Sequence, residues 1–100
     1  IGKHFPDTDE KYKGIDSKKL LTKVIALIKE KEYQIQNIDA TVVLQKPKIQ
    51  SYIPEMRSVL AEIMKIDTDR LSIKATTSEH LGFTGREEGL AAFVLVLLVK

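Results

Sequence analysis

The sequence predicts an α/β fold: a small two-layer sandwich in which helices lie on one face of a sheet. Two segments repeat apolar residues at helical intervals, and three others have the alternation or the apolar, β-branched composition of strands. The two kinds of segment alternate along most of the chain, which favours a sheet with helices on one face. One hundred residues suit one domain, and no linker or repeat divides residues 1–100.

Composition excludes several classes of protein. Sixteen basic and fourteen acidic residues are interspersed and leave a net charge of +2, which argues against a nucleic-acid arm or a cationic membrane surface. There is no cysteine, so disulfides and thiolate metal sites are excluded. The longest apolar run, Leu90–Val99, is ten residues, about half the length of a membrane-spanning helix. We therefore expect neither a nucleic acid nor a membrane as partner.

The first fourteen residues predict a loop. Pro6 keeps Phe5 extended, and Asp7 and Asp9 flank Thr8. Two carboxylates this close can position sugar hydroxyls or a cation. The commoner interpretation is a turn whose acids are solvated.

A helix and a strand follow the loop. Asp16 is a good N-cap for an amphipathic helix from about residue 17 to residue 31. Residues 38–44 are short and β-branched and predict a strand. Pro47 ends that strand because it cannot donate a hydrogen bond to the sheet. It lies between two lysines, so the segment suits either an anion or nucleotide loop or a simple basic connection.

The second half of the chain predicts a helix and two strands. Pro54 suits the first turn of a helix that should end near Lys65, and residues 67–69 predict a turn. Residues 71–76 alternate like a half-buried strand. Leu90–Val99 is apolar throughout, which is typical of a central strand with both faces covered. Since three strands and two helices make a thin core, we expect another copy of the chain to cover one of these faces.

The connection between the last two strands is the strongest candidate for a functional site. Residues 74–89 contain three glycines, four hydroxyl residues, three glutamates and one arginine. Thr76 and Glu79 have the spacing of a capping box, with Gly82 placed to end one short helical turn. Such a turn would offer free backbone amides to a phosphate, and Glu79 could hold a divalent cation. A capped turn that only reverses the chain explains the same spacing.

Other candidate motifs are weaker. Gly82–Gly85 matches the four-residue clamp of KH RNA-binding domains, but here it joins two predicted strands instead of two helices. His4 and His80 lie far apart in sequence and lack a metal-pair spacing, so we interpret both as surface residues.

Three motifs together resemble a known family. They are Phe-Pro-Asp-Thr-Asp at residues 5–9, Pro-Lys at residues 47–48, and Lys-Ala-Thr-Thr-Ser-Glu with Gly-Phe-Thr-Gly-Arg and Glu-Gly within residues 74–89. In this order and at these separations they resemble the 2-C-methyl-D-erythritol 2,4-cyclodiphosphate synthases of the non-mevalonate isoprenoid pathway. The resemblance covers residues 1–100 and implies an α/β homotrimer whose sheets face the threefold axis.

The resemblance implies a cyclisation. The substrate is a cytidine diphosphate derivative of methylerythritol with a second phosphate on its 2-position. That phosphate attacks the β-phosphorus, CMP leaves, and an eight-membered cyclic diphosphate forms. Positioning of the substrate and neutralisation of charge on the phosphates would supply most of the catalysis.

The resemblance also assigns roles to residues. Glu79 would hold magnesium or manganese, and Thr77 would hydrogen-bond the phosphates in the transition state. Residues 44–50 would form the cytidine pocket, and the N-terminal loop would bind the methylerythritol. Phe83 and Arg86 would lie near the mouth of the trimer's central cavity. The residues expected to bind substrate are Ile1, Gly2, Phe5, Pro6, Asp7, Thr8, Asp9, Leu44, Gln45, Lys46, Pro47, Lys48, Ile49, Gln50, Thr76, Ser78, Phe83 and Arg86.

The sequence departs from the family at the zinc site. The family's zinc ligands, an Asp-x-His pair and a further histidine, belong to an N-terminal segment, and neither His4 nor His80 matches them. We therefore expect these residues to be the C-terminal two thirds of the domain, with the zinc ligands upstream. If the protein truly begins at Ile1, the alternative is a non-catalytic trimeric module that binds nucleotides or phosphates. The expected compartment is the bacterial cytoplasm or a plastid-type organelle.

Overall fold

The computed structural model describes residues 3–5, 8 and 14–100 and confirms the α/β class. The predicted order of helix, strand, helix, strand and strand is also confirmed, with a short α-helix added before the last strand and 3₁₀ turns at Gln50–Tyr52 and Thr68–Arg70. The elements are α1 (Ser17–Glu30), β1 (Gln34–Val43), α2 (Ile53–Met64), β2 (Leu71–Thr76), α3 (Gly82–Gly85) and β3 (Ala91–Val99).

The three strands form one mixed sheet in the order β2-β1-β3. β1 pairs with β2 in parallel and with β3 antiparallel. The prediction that the last strand is central is wrong, because among the described residues β3 pairs with β1 alone and lies at an edge of the sheet. The expected cover on both faces is also absent among the described residues, since residues 92–99 are exposed. Apolar composition did not determine which strand has two neighbours.

β1 begins at Gln34, four residues before the predicted start at Ile38. Its pairing with β3 shifts between Ile35 and Asn37, so Gln36 is an extra residue in a β-bulge. Because of this bulge, Ile35 and Ile38 both reach the core although they are three residues apart. The bulge interrupts the alternation of inward and outward side chains along the strand. The early part of the strand therefore lacks the period of two that predicts a strand from sequence.

The helix ends follow the sequence closely. The Lys18 amide donates to Asp16 Oδ1 at 2.8 Å, which confirms the predicted N-cap of α1. Pro54 lies in the first turn of α2, and Lys65 ends that helix in a left-handed conformation with φ of 57°. Arg57 of α2 donates through Nε to the carbonyl of Leu71 at 2.9 Å, which ties the helix to the start of β2.

The core lies between the helices and one face of the sheet, as predicted. Its buried residues are Ile35, Ile38, Ile53, Met64, Leu71 and Ile73. On the same side, Val94 and Val96 of β3 line a cavity of about 270 Å³ with Leu21 and Ile25 of α1. The helices therefore cover β1 and β2 better than they cover β3.

The other face of the sheet is open and has two halves. Asp39 of β1 pairs with Lys74 of β2, which makes one half polar. The other half consists of Phe93, Leu95 and Leu97 of β3, and Leu95 is 76% exposed. These three residues, called the β3 apolar row below, lie side by side with polar neighbours on β1.

Within the part of the chain that the structure describes, no helix combines the length and the apolar content needed to cross a bilayer.

Replacing Leu71 with alanine tests the core. Leu71 is 2% exposed, so its truncation removes apolar burial and leaves a cavity. We expect the free energy of unfolding to fall by about 2–5 kcal/mol, measured by chemical denaturation. Leu81→Ala is the matched control, because Leu81 is 73% exposed and its truncation should have little effect. Equal losses in the two variants would contradict this description of the core.

Candidate functional site

The candidate site lies where the parallel strands β1 and β2 end together. Val43 pairs with Thr76, and the Leu44 amide donates to the Thr76 carbonyl at 3.0 Å. The loops that follow, residues 44–50 and 77–90, therefore begin side by side. The carboxyl edge of parallel strands is a common place for ligands because the loops that follow the strands converge there.

A hollow of about 120 Å³ lies between these two loops. Its lining residues are Leu44, Gln45, Pro47, Lys48, Ile49, Gln50, Ala75, Thr76 and Thr77. The Lys46–Pro47 peptide bond on this hollow is cis. The structure thus brings together most of the predicted cytidine pocket and two of the predicted phosphate residues, whose binding roles stay predictions.

The predicted capping box is not formed. Thr76 is the last residue of β2, so its backbone belongs to the sheet and cannot begin a helix. Its neighbour Thr77 accepts a hydrogen bond at Oγ1 from the Glu79 amide at 3.2 Å. Gly82 begins the short helix α3 instead of ending one, with φ of 69°. The Glu79 amide does bond a threonine hydroxyl, but the acceptor is Thr77, because Thr76 belongs to the strand.

The turn that contains Glu79 has two consecutive left-handed residues. The φ angles are 54° at Glu79 and 65° at His80, which is unusual for residues with a β-carbon. The His80 amide donates to Gln45 Oε1 at 3.2 Å, and the Leu81 amide donates to the Ser78 carbonyl at 3.1 Å. With the Glu79 amide bonded to Thr77, three successive amides have partners in the protein. The prediction that this turn offers free amides to a phosphate is therefore wrong for these three groups.

Ser78 and Thr84 close the loop from inside. Ser78 Oγ lies 2.7 Å from the Leu81 carbonyl and 2.8 Å from Thr84 Oγ1. Since a hydroxyl has one hydrogen, Ser78 donates to the carbonyl and Thr84 donates to Ser78. Thr84 is 6% exposed, so this pair satisfies a buried polar group. The Ser78 hydroxyl thus helps to determine the shape of the loop.

The Glu79 carboxylate is exposed and makes neither a hydrogen bond nor an ion pair with the residues that the structure describes. Magnesium typically takes one or two carboxylates and completes its shell with water and phosphate oxygens. An exposed carboxylate two residues after Thr77, which lines the hollow, fits that type of ion. In the described ranges, no group of three His, Asp or Glu side chains could hold a metal by itself, so these residues do not fit a zinc centre.

Two cross-loop contacts join the halves of the site. One is the hydrogen bond from the His80 amide to Gln45, and the other is an ion pair between Lys46 and Glu87 at 3.7 Å. Sequence reasoning missed both contacts. The partners are 35 and 41 residues apart, and no periodicity connects them.

Arg86 and Phe83 lie on the far side of the same loop. Arg86 donates to both carboxylate oxygens of Glu88, at 3.0 and 3.1 Å. Phe83 is 50% exposed. Neither lines the hollow, and their predicted place near the substrate and the mouth of a central cavity stays a prediction.

The N-terminal candidates are separate from the hollow. Phe5 and His4 line a different depression with Lys23, Ala26 and Leu27 of α1, and Thr8 is exposed. The predicted substrate residues Ile1, Gly2, Pro6, Asp7 and Asp9 lie outside the described residues. The structure therefore does not bring Phe5 to the hollow within one chain.

Comparisons with known proteins agree on one family. The model of the YgbB family matches residues 1–99. The chain is 59% identical to the 2-C-methyl-D-erythritol 2,4-cyclodiphosphate synthase of Bacteroides fragilis over 98% of its own length. It spans 62% of the length of that curated relative.

Solved structures show the same similarity. The bifunctional IspDF of Campylobacter jejuni is 40% identical with a TM-score of 0.93, covering 98% of this chain and 27% of that one. A CDP complex of IspF from Plasmodium falciparum is 30% identical with a TM-score of 0.85, covering 99% of this chain and 58% of that one.

Replacing Gly85 with alanine tests the packing of the loop. A β-carbon at Gly85 would lie 2.1 Å from the His80 carbonyl carbon, so the left-handed turn would have to move. We expect a loss of about 1–3 kcal/mol in the free energy of unfolding, together with faster hydrogen exchange at Leu81. Gly89→Ala is the control, since its β-carbon would meet only the Phe83 ring at 3.5 Å. A Gly85 variant as stable as the control would contradict the close approach.

Proposed function

Because the chain belongs to the YgbB family, we propose that it forms the nucleotide-binding and metal-binding part of a 2-C-methyl-D-erythritol 2,4-cyclodiphosphate synthase. The observation that carries the proposal is the hollow between residues 44–50 and Thr76–Thr77, two residues before Glu79, whose exposed carboxylate has no partner among the described residues. The chain spans less than two thirds of the length of its curated relative, so the activity is proposed for the complete protein. The 59% identity to a protein named as a synthase supports an enzyme over a non-catalytic nucleotide-binding module.

The proposed reaction is an intramolecular phosphoryl transfer. An oxygen of the 2-phosphate forms a bond to the β-phosphorus of the cytidine diphosphate group. The bond from that phosphorus to the oxygen bridging to CMP breaks, and CMP leaves with the electron pair. The product is a cyclic diphosphate, so the enzyme is a phosphorus–oxygen lyase.

The hollow is proposed to hold the cytosine and its ribose. Its volume of about 120 Å³ is small, so it encloses a planar base better than a whole nucleotide. Six of residues 44–50 line it, and among them the exposed Lys48 contributes a positive charge. The phosphates would then extend from the hollow toward Thr77 and Glu79.

Thr77 is proposed to donate to a phosphate oxygen. Its Oγ1 already accepts a hydrogen bond from the Glu79 amide, which leaves its own hydrogen to donate. A donor positioned before the reaction stabilises charge that grows on a transferring phosphoryl group. Thr76 and Ser78 support this geometry, since Ser78 closes the loop behind Thr77.

Glu79 is proposed to hold magnesium or manganese together with phosphate oxygens. When bound, such an ion neutralises phosphate charge and makes the β-phosphorus easier to attack. The carboxylate is exposed, and none of the described residues pairs with it. No step of the reaction is assigned to zinc, because the described residues do not fit a zinc centre.

The remaining assignments follow the family pattern. Phe5 and Thr8, with the neighbouring residues outside the described ranges, are proposed to bind the methylerythritol. They lie away from the hollow within one chain, so a neighbouring subunit would have to supply them. Phe83 and the Arg86–Glu88 pair are proposed to lie at the mouth of the central cavity. The compartment, bacterial cytoplasm or plastid-type organelle, stays a prediction.

A homotrimer is proposed because the β3 apolar row needs a cover. Leu95 and Phe93 are 76% and 64% exposed, so the described part of the chain leaves most of their side chains uncovered. Exposed apolar patches of this kind mark association surfaces. Packing of this face around a threefold axis would bury the row and place the sites between subunits.

Glu79→Ala tests the metal role. We expect CMP release from the cytidine diphosphate substrate, assayed with magnesium in the complete protein, to fall by about a hundredfold or more. Glu32→Ala is the matched control, because Glu32 is also an exposed glutamate with a positive φ, of 66°, but lies at the opposite end of β1. Full turnover by the Glu79 variant would rule out its role in catalysis.

Leu95→Glu tests the assembly. A carboxylate in the β3 apolar row would have to be desolvated at the interface, so we expect the trimer to dissociate. Light scattering with size-exclusion chromatography measures the mass. Val59→Glu provides a control on the outer face of α2, where Val59 is exposed. A Leu95 variant that keeps the mass of the unsubstituted trimer would contradict the proposed interface.

A further inference from the structure

We propose that Gln45 is a positioning residue that couples nucleotide binding to metal binding, an inference that rests on the proposed function. Its side chain belongs to loop 44–50 and lines the hollow, while its Oε1 accepts a hydrogen bond from the His80 amide in the other loop. One side chain therefore contacts the space for the base and the turn that carries Glu79.

The His80 amide is well placed to control Glu79. The two residues are adjacent, and both have left-handed φ angles, 54° and 65°. Such angles are disfavoured for residues with a β-carbon, so the turn depends on external contacts to hold it. Thr77 bonds the Glu79 amide and Ser78 bonds the Leu81 amide, both from within the loop. The third bond, from the His80 amide to Gln45, connects this turn to loop 44–50.

Loss of the Gln45 acceptor would leave the turn with only its local contacts. The Glu79 carboxylate would then sample more positions, and binding a metal with phosphate would have to order it again. A base that orders loop 44–50 orders Gln45 as well, and thereby prepares Glu79. Coupling of this kind is reciprocal, so a bound metal would also favour the base.

The ion pair between Lys46 and Glu87 joins the same two loops at 3.7 Å. The lysine and glutamate side chains are 73% and 46% exposed, so water and salt screen the pair. It supports the alignment of the loops, but the hydrogen bond to Gln45 carries the coupling.

The test uses two substitutions of Gln45 in the complete protein. Gln45→Met keeps the length of the side chain and removes the acceptor, whereas Gln45→Glu keeps an acceptor oxygen. Hydrogen exchange at the His80 amide reports the bond directly. We expect exchange to accelerate about fivefold or more in the methionine variant, as for one lost hydrogen bond. The glutamate variant should keep the amide protected.

The second readout is the binding of CDP, measured by calorimetry with and without magnesium. We expect the tightening by magnesium to fall about fivefold in Gln45→Met, while the affinity for cytidine alone changes much less. Gln45→Glu should retain the tightening. Gln36→Met is the matched control, because Gln36 is exposed and lies in the bulge of β1.

Each outcome decides the proposal. Unchanged exchange at His80 in Gln45→Met overturns it, and so does faster exchange with an unchanged magnesium effect. Equal losses for cytidine and CDP would show that Gln45 only shapes the hollow. If the unsubstituted protein does not bind CDP more tightly with magnesium, the proposed function and the coupling both fail. The exchange result at His80 would still establish the hydrogen bond in that case.

Discussion

The parallel pairing of β1 with β2 is the constraint on which the rest of the site depends. Pairs run from Ile38 with Leu71 to Val43 with Thr76, so both strands end at one edge of the sheet. Two loops that are distant in sequence therefore start next to each other. The hollow, the cross-loop hydrogen bond and the exposed Glu79 carboxylate all follow from that shared edge.

The loop after β2 contains backbone angles that are locally unfavourable, and contacts with the rest of the fold hold it in place. Two left-handed residues in succession are held by three satisfied amides and by the close approach of Gly85 to His80. Ser78 and Thr84 use their hydroxyls inside the loop, whereas the side chain of the neighbouring Glu79 is exposed. Local and cross-loop hydrogen bonds hold this loop, while none of the described residues pairs with its exposed Glu79 carboxylate. That combination suits a site that must bind a charged ligand in one orientation.

The described chain covers one face of the sheet and leaves the other face exposed. Helices α1 and α2 bury the core residues of β1 and β2, whereas β3 is apolar on both sides and remains exposed along its length. An exposed edge strand with this composition favours association, because each copy can bury the row of another. The predicted site residues are also separated within one chain, because Phe5 lines a depression away from the hollow.

The sequence by itself determined the elements and their order, because helical and strand periodicity is local. It also predicted the residues that line the hollow, through the family motifs at residues 47–48 and 74–89. Only the tertiary structure decided that β1 is the central strand, that Gln36 is a bulge, and that Thr77 bonds the Glu79 amide in place of a capping box at Thr76. The physical reason is that pairing order and the contact between Gln45 and His80 join residues that no periodicity relates. The hydrogen bond between His80 and Gln45 requires both loops to lie at one edge of the sheet, and the pairing of β1 with β2 places them there.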